Sequence, residues 1–405
     1  MRKRIWMPLA LAGLAAIGFF GIAPGYIEGS MNVVDGKPLI EVSDEAKKLH
    51  NTMAIVDLHS DSLMWNRDIN ERASRGHMDL PRLAEGNVAL QLFSSVTKTP
   101  KGQNYDSNGA DTDNITLLAI AQLQPFKTWN SLVERSLYHA ERLKAAVARN
   151  NSTGDINLVS WFLVDHSNGV IRLEEDHGPQ RGPAYHPFAR GAMLTIEGLQ
   201  NLEGKAANLD RLYSAGFRMA GLTHFFDNEL GGSMHGLKKG GLTAFGRDIV
   251  RRMEAKGMIV DIAHLSHTGV AEVLAMARRP VVSSHGGVQA TCKVNRNLTD
   301  EELKGVAKTG GIVGIGYWEG AVCSTDPRAA AKAMKHVRDL VGIDHVALGS
   351  DYDGATTVRF DTSQLVQVTQ ALLDEGFTPD EIRAVMGRNA LRVIRAGIVP
   401  MAVAK

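Results

Sequence analysis

The chain has 405 residues, of which 44% are apolar and 22% are charged. This composition is ordinary for a globular protein and supplies enough apolar side chains for a large core. With 45 basic and 44 acidic residues the net charge is close to zero, so the composition does not indicate a nucleic acid or a strongly acidic partner.

An apolar segment follows directly after the first basic residues of the chain. Three basic side chains at positions 2–4 precede residues 5–23, "IWMPLALAGLAAIGFFGIA", which carry no charge. The segment is just long enough to cross a bilayer as a helix, and its basic flank is also typical of a signal peptide. We favour an uncleaved anchor over a removed signal or a buried core helix, because cleavage after Ala23 would place Pro24 beside the cut. An anchor or a signal would export the body of the chain to the periplasmic or extracellular side.

Eight short apolar runs recur after residues 24–50, which have the pattern of a linker and a short lead-in helix. Most of these runs do not alternate between apolar and polar residues. That pattern is typical of parallel strands that are buried on both faces. The eight predicted strands are residues 54–58, 88–93, 192–196, 218–223, 258–263, 280–284, 311–317 and 345–350.

Helical patterns lie between the predicted strands. Residues 242–257 end in Gly257, a typical C-cap, and residues 378–394 begin with Thr378 as N-cap and Glu381 completing a capping box. Strands that alternate with helices over residues 51–398 predict a (β/α)₈ barrel of the TIM type. The alternative is a doubly wound open sheet, which usually shows a glycine-rich fingerprint after its first strand; the sequence has none there.

Two stretches do not fit a minimal barrel. Residues 97–114 are polar and rich in Gly, Asn and Asp, which predicts a surface loop. Residues 160–191 contain two apolar runs joined at Asn168 and Gly169, which predicts a decorating hairpin. The two cysteines, Cys292 and Cys323, are compatible with a disulfide in an exported protein and with two inert core thiols.

Histidine and carboxylate side chains follow the ends of six of the predicted strands. In a barrel these ends converge on one face, where active sites form. His59 and Asp61 are two residues apart, which places both side chains on the same side of the chain. Imidazole and carboxylate ligands suit catalytic zinc, and a carboxylate can bridge two ions with its two oxygens. The residues concerned are His59, Asp61, Glu197, His224, His264, His285 and Asp351.

The order and spacing of these residues resemble the membrane (renal-type) dipeptidases, metallopeptidase family M19, whose barrel is amidohydrolase-like. The resemblance covers about residues 50–398. It rests on the motifs "VDLHSDS", "HMDLPRLAEGNVALQLFS", "TIEG", "LTHF", "GLTAFG", "GMIVDIAHLS", "PVVSSH", "NRN", "HVALGSDYDG" and "GRNALRV".

This resemblance implies a zinc-dependent dipeptidase that holds two Zn²⁺ ions per chain and attacks the peptide bond with a hydroxide that bridges them. Residue by residue, it implies that His59 and Asp61 bind the first ion and that His264 and His285 bind the second. Glu197 matches the carboxylate that bridges both ions.

The resemblance also implies roles for three residues on the substrate side. His224 matches a catalytic histidine that contacts the substrate and its developing oxyanion. Arg296 matches the arginine that holds a substrate carboxylate or carbonyl oxygen, for which a guanidinium fork is well suited. Asp351 matches the acid that relays a proton to the leaving nitrogen, and Asp353 is the alternative carrier. Asp57 is expected to be structural.

The resemblance implies the reaction chemistry of the family more directly than its substrate specificity. Leu199 and Gln200 follow "IEG" where the family often has Gly-His or a similar pair, and the insertion at 160–191 comes just before Glu197. We therefore keep two alternatives to a dipeptidase with a small dipeptide as its partner. One is an amidohydrolase for another amide, a lactone or a modified peptide in the cell envelope, and the other is a barrel that binds peptides without turnover. A homodimer is left open.

Overall fold

In a computed structural model of the chain, the described residues are 10–152, 161–162 and 190–398. Within them, eight parallel strands close into a barrel. Each strand pairs with the next one along the chain, and β8 pairs with β1, where Leu348 lies opposite Asp57. This closure confirms the predicted (β/α)₈ barrel and excludes the open sheet. The strands are β1 Ile55–Ser60, β2 Val88–Val96, β3 Arg190–Glu197, β4 Phe217–Gly221, β5 Ile259–Asp261, β6 Val282–Ser283, β7 Ile312–Ile315 and β8 Val346–Leu348.

Helices follow the strands and cover the barrel. Short 3₁₀ turns occur at Ser62–Met64, Leu199–Leu202, Ile343–His345 and Thr362–Gln364. The helices are α1 Ala10–Met31, α2 Asp44–His50, α3 Leu80–Glu85, α4 Asn114–Ala121, α5 Lys127–Asn130, α6 Leu132–Ser152, α7 Ala207–Ala215, α8 Ala244–Lys256, α9 His267–Met276, α10 Asp300–Lys308, α11 Glu319–Val322, α12 Pro327–Val341, α13 Val366–Asp374, α14 Pro379–Arg383 and α15 Asn389–Gly397.

Apolar side chains pack on both faces of the strands, as the non-alternating runs predicted. One set, which includes Val56, Leu58 and Leu90, packs with residues of α15. Because side chains alternate along a strand, the neighbouring positions point the other way, and Ile55 belongs to the larger core formed with the outer helices. The strands are thus fixed from both sides, which holds their carboxyl ends in place.

The capping signals of the last helical stretch are present, but the helix is interrupted. Thr378 and Glu381 form the predicted capping box at the start of α14. A π-helical turn, Ala384–Arg388, then separates α14 from α15. At Gly387 a Cβ would lie 1.9 Å from the carbonyl oxygen of Ala54, so only glycine permits this approach to the chain before β1.

The apolar N-terminal helix extends further than predicted. α1 continues through Met31, so residues 24–31 are helical rather than part of a linker. Pro24 does not end the helix, because it lies in the first turn of the regular segment Ala23–Met31, after a π-helical stretch, where its missing N–H is tolerated. A helix also lies at Asp44–His50, where the sequence suggested a short lead-in helix.

Two other features complete the fold. Cys292 and Cys323, left undecided by the sequence, form a disulfide with a Cα–Cα distance of 5.4 Å. Trp161–Phe162 form a short strand that pairs in parallel with the beginning of β3. The remainder of the hairpin predicted at 160–191 lies largely outside the described residues.

Candidate metal centre and active site

The barrel brings all seven predicted strand-end side chains together at the carboxyl ends of its strands. His59 and Asp61 stand at the end of β1, Glu197 ends β3, and the others follow β4, β5, β6 and β8. Each of the seven is buried, at 8% exposure or less. The arrangement is therefore a compact polar centre in an otherwise apolar barrel.

Glu197 lies in the middle of this centre. Its Oε1 is 2.9 Å from Nε2 of His264 and 3.3 Å from Nε2 of both His224 and His285. Its Oε2 points to the other side, 3.6 Å from Nε2 of His59. One carboxylate thus faces histidines on two sides with separate oxygens, which is the geometry of a bridging ligand.

The side of Glu197 that faces His59 also contains two further carboxylates. Nε2 of His59 lies 3.3 Å from Oδ1 of Asp61 and 3.9 Å from Oδ1 of Asp351. The ligand atoms of His59, Asp61 and Asp351 all lie within 4.8 Å of one another, and the same holds for His59, Glu197 and His285.

The unsatisfied atoms of the centre fit a divalent cation. Nε2 of His59, Oδ1 of Asp61 and Oε2 of Glu197 are buried and have no hydrogen-bond partner among the residues that the structure describes. Buried polar groups are normally paired, because leaving them unpaired is costly. Imidazole nitrogens and carboxylate oxygens form the mixed ligand set that zinc and similar metals take in catalytic sites. The residues present therefore fit a metal centre.

The protonation states of three residues of the centre suit metal binding, whereas the neighbouring carboxylates outweigh the opposing effect of burial at His59 and raise its pKa well above the usual range. Burial lowers the pKa values of His264 and His285 well below the usual range, which favours the neutral imidazoles that bind metals. Burial opposes ionisation of Glu197, but the charges of His224 and His59 outweigh it and hold its pKa well below the usual range. Glu197 is therefore a carboxylate, as a bridging ligand must be.

Two buried aspartates hold the strands that carry His59 and His285. Asp57 accepts hydrogen bonds from the backbone N–H of Ser350, at 2.9 Å, and from its hydroxyl, as its expected structural role requires. Asp261 likewise accepts hydrogen bonds from the backbone N–H and the hydroxyl of Ser284. The same hydroxyl oxygen lies 2.9 Å from Nδ1 of His285. Sequence analysis missed Asp261, although "VDLH" and "VDIAH" carry the same signal, an aspartate just before a strand-end histidine.

Left-handed backbone conformations occur at two residues of the centre. His264 has φ 63° and Asp351 has φ 56°, a region that non-glycine residues rarely occupy. Such conformations cost free energy and persist where the surrounding structure enforces them, often at functional sites. Here they turn the chain at the ends of β5 and β8.

Asp353, the alternative proton carrier, is engaged elsewhere. Its carboxylate accepts hydrogen bonds from the hydroxyl of Ser62, from Arg67 and from the backbone N–H of His77. These bonds tie the segment after β8 to the segment after β1. Asp351 instead faces the centre, where burial raises its pKa well above the usual range, with Asp61 and Glu197 acting in the same direction.

Arg296 faces the same centre from the loop after β6. It is buried, and its Nε and one terminal nitrogen have no hydrogen-bond partner. Its guanidinium carbon lies 4.8 Å from the ring centroid of Trp318. The disulfide between Cys292 and Cys323 joins the loops that carry these two side chains. A cation held this way can receive an anionic group.

A cavity of about 760 Å³ opens above the centre, lined by Asp61, Glu197, His224, His264, Arg296 and Asp351 among others. Asn104 and Tyr105 of the polar loop also line it, so the predicted surface loop reaches the site. The Tyr105 hydroxyl accepts a hydrogen bond of 3.3 Å from Nε1 of Trp318. Sequence analysis missed Tyr105, and no local pattern indicates a contact between residues 213 positions apart.

Comparisons with known proteins agree with this architecture. The chain is similar to the dipeptidase aclJ of Aspergillus oryzae, with 29% identity over 84% of this chain and 77% of that protein. Its fold is similar to a metallo peptidase from Rhodobacter sphaeroides, solved with a phosphinate mimic of the dipeptide L-Ala-D-Ala (TM-score 0.63, 20% identity, 85% of this chain and 99% of that one). It is also similar to the probable dipeptidase PvdM of Pseudomonas aeruginosa (TM-score 0.65, 17% identity, 87% and 97%).

The family match covers most of the barrel. Residues 43–398 match the model of the membrane dipeptidases, Peptidase family M19. The order of the motifs, the closed barrel and the buried centre of histidines and carboxylates agree with that match. The chain is thus a metallopeptidase that hydrolyses peptide bonds, and it belongs to the membrane dipeptidase family.

Proposed function

We propose that the chain is a zinc-dependent dipeptidase with two metal ions per chain. The observation that carries the proposal is the position of Glu197, whose two oxygens face His59 on one side and His224, His264 and His285 on the other. Two ions held this way would share one carboxylate and have open positions for a substrate.

Five side chains would hold the ions. His59 and Asp61 would bind the first ion, His264 and His285 the second, and Glu197 both. When bound, a pair of zinc ions polarises the scissile carbonyl and activates a water molecule for attack.

The remaining polar residues would bind the peptide and carry its proton. Arg296 would take the carboxylate of the dipeptide with two parallel hydrogen bonds. His224, whose Nε2 lies 3.3 Å from Oε1 of Glu197, would donate to the carbonyl oxygen as negative charge develops there. Asp351 would take a proton from the attacking water and deliver it to the leaving nitrogen, and its raised pKa suits a group that must hold that proton in between.

We also propose that this domain works outside the cytoplasm, anchored by the apolar N-terminal segment at residues 5–23. Residues Ala10–Met31 form a helix long and apolar enough to cross a membrane, and little of it is buried against the rest of the chain. The disulfide between Cys292 and Cys323 supports an oxidising compartment, because such bonds are rare in the cytosol.

A panel of dipeptides with L- and D-residues at either position tests the proposed activity. The full-length protein, purified in detergent, should hydrolyse members of the panel, lose activity on treatment with a chelator and regain it with Zn²⁺. Hydrolysis of only other amides or lactones would favour the amidohydrolase alternative. Binding of dipeptides without any turnover in the zinc-loaded protein would favour the non-catalytic barrel.

A further inference from the structure

The cavity above the metal centre is larger and more apolar than a small dipeptide requires. Its volume of about 760 Å³ lies in the upper part of the range, roughly 300–1,000 Å³, of pockets that enclose drug-sized ligands. Its floor is the polar centre, but the side away from the centre is lined by apolar residues of α1 and α4 and by Met64 and Trp65. A dipeptide with two small side chains would leave this apolar side in contact with water.

One face of the N-terminal helix forms part of this apolar side. Phe19, Ala23, Ile27 and Met31 all line the cavity. They are spaced by four residues, so they lie along one face of α1. From α4, Ile115 and Leu118 and their neighbours complete the apolar side. The helix that resembles a membrane anchor is therefore also part of the wall of the catalytic cavity.

This wall is fixed to the barrel by buried polar contacts. The carboxylate of Glu28, 1% exposed, forms ion pairs with Nε of Arg67 and Nε of Arg75, each at 2.7 Å. At the end of the helix, Oδ1 of Asn32 accepts a hydrogen bond of 2.8 Å from the N–H of Ala355, another residue that lines the cavity. The end of α1 is thus attached to the segment after β8, which also contains Asp351.

The next two residues extend this attachment into a small parallel sheet. Val33 and Val34 pair with Thr357 and Val358, just after the loop that follows β8. The backbone N–H of Val33 donates to the carbonyl oxygen of Thr356 at 3.1 Å. This pairing therefore fixes the position of the cavity-lining face of α1 relative to the active site.

We propose that the substrate of this site is a peptide that carries an extended apolar group, which lies against the Phe19–Ala23–Ile27–Met31 face of α1 while the peptide bond lies at the metal centre. This inference rests on the proposed dipeptidase function. An apolar group in this position would remove from water both its own surface and the apolar side of the cavity, which favours binding.

Two series of dipeptides measure the effect. In one series the first residue of Ala-Ala is lengthened by single methylenes to a long unbranched side chain, and in the other series the second residue is lengthened. With the full-length protein in lipid nanodiscs, kcat/KM should rise in at least one series by about fourfold per methylene, since a buried methylene contributes about 0.8 kcal/mol, until the side chain reaches α1.

Variants of α1 test whether a preference for long side chains comes from contact with α1 or only from the hydrophobicity of the peptide. Ala23→Trp fills the space at the wall and should reduce the ratio of kcat/KM for the longest peptide to that for Ala-Ala by more than about tenfold, the equivalent of roughly two methylenes. Ile27→Ala, which shortens the wall without adding bulk, should also lower the ratio. Tyr26→Ala is the matched control, because Tyr26 is 74% exposed and is not among the residues that line the cavity, and it should leave the ratio unchanged.

The outcomes distinguish this inference from the proposed function. If Ala-Ala is hydrolysed but the ratio stays flat in both series, the inference is wrong and the dipeptidase function stands. If the ratio rises equally in wild type and in both wall variants, the apolar group does not lie against α1, and the inference is again wrong. If no peptide of either series is hydrolysed by the zinc-loaded protein, the function fails and the inference fails with it.

Discussion

At the scale of single residues, Glu197 and Asp351 are two buried carboxylates with different surroundings. Glu197 is within 3.6 Å of four imidazoles, which keep it ionised. Asp351 approaches only His59, at 3.9 Å, and its pKa is raised by burial and by neighbouring carboxylates. Environments that push the pKa values of two acids apart suit different roles, and these two agree with the proposed roles of ligand for Glu197 and proton carrier for Asp351.

The first prediction follows from that difference. Asp351→Asn removes the proton carrier but keeps its shape, so kcat should fall by about 10²–10⁴-fold while KM changes little. Steady-state kinetics on a hydrolysed dipeptide, together with metal analysis of the same preparation, provide the measurement. Normal metal content with low kcat is the expected result. Loss of metal would instead make Asp351 a ligand of the first ion, which its place beside His59 and Asp61 permits.

Arg296 should behave in the opposite way. Its proposed contact with the substrate carboxylate exists before the reaction begins, so Arg296→Ala should raise KM more than it lowers kcat. Loss of one charged hydrogen-bonding group corresponds to roughly 10-fold or more in affinity. An equal fall in kcat and kcat/KM, without a change in KM, would show that the arginine acts only in the transition state.

The sequence predicts the convergence of the strand-end histidines and carboxylates better than it predicts their surroundings. The pair His59 and Asp61 follows a predicted strand at a spacing that fixes its geometry, so a local pattern suffices. Trp318 and Tyr105 meet across a sequence distance of 213 residues, and their contact depends on the course of two loops. Asp261 lies between these cases, since it comes three residues before His264, while Asp57 comes two residues before His59.

At the scale of elements, strands were easier to predict than helix ends. All eight predicted runs overlap barrel strands, because a strand buried on both faces must be continuously apolar. The end of α1 was placed too early, at Ala23, because the apolar run that predicted the helix ends there. The helix continues because Glu28 is satisfied by Arg67 and Arg75, and these tertiary contacts have no local signature.

The disulfide yields a prediction about the loops after β6 and β7. It closes a segment of 31 residues, so replacing both cysteines, Cys292→Ser with Cys323→Ser, should lower the free energy of unfolding by about 3–4 kcal/mol. KM should also rise, because the bond joins the loops of Arg296 and Trp318. Denaturant unfolding and kinetics, each with and without a reducing agent, provide the measurements.

The reducing agent is the internal control of that experiment. Cys323 is exposed, so the agent should reach the bond in wild type and reproduce the changes seen in the double variant, while the variant itself should not respond. A wild-type protein that shows no difference in unfolding between the two conditions would contradict a structural role for the bond.

At the scale of the whole molecule, the proposed anchor lies on the same side of the barrel as the catalytic face. α1 ends in contact with the segments that follow β1 and β8, so a membrane around the first part of α1 would lie near the mouth of the cavity. This placement requires that the basic residues at positions 2–4 remain in the cytoplasm and that the barrel is exported.

Reporter fusions test this topology. A reporter that is active only outside the cytoplasm, fused after Lys405, should be active, and one that is active only in the cytoplasm should not be. A matched fusion to a chain that lacks residues 1–23 should reverse the pattern. Activity of the cytoplasmic reporter on the full-length chain would reject the export proposal.

The central claim is that one carboxylate joins two metal sites, and metal analysis of wild type and Glu197→Gln tests it most directly. Gln keeps the size of the side chain but removes the charge that both ions would share. Wild type should contain close to two metal ions per chain, and Glu197→Gln should lose most of both, with its fold intact by circular dichroism. A single ion in wild type that Glu197→Gln leaves in place would contradict the account.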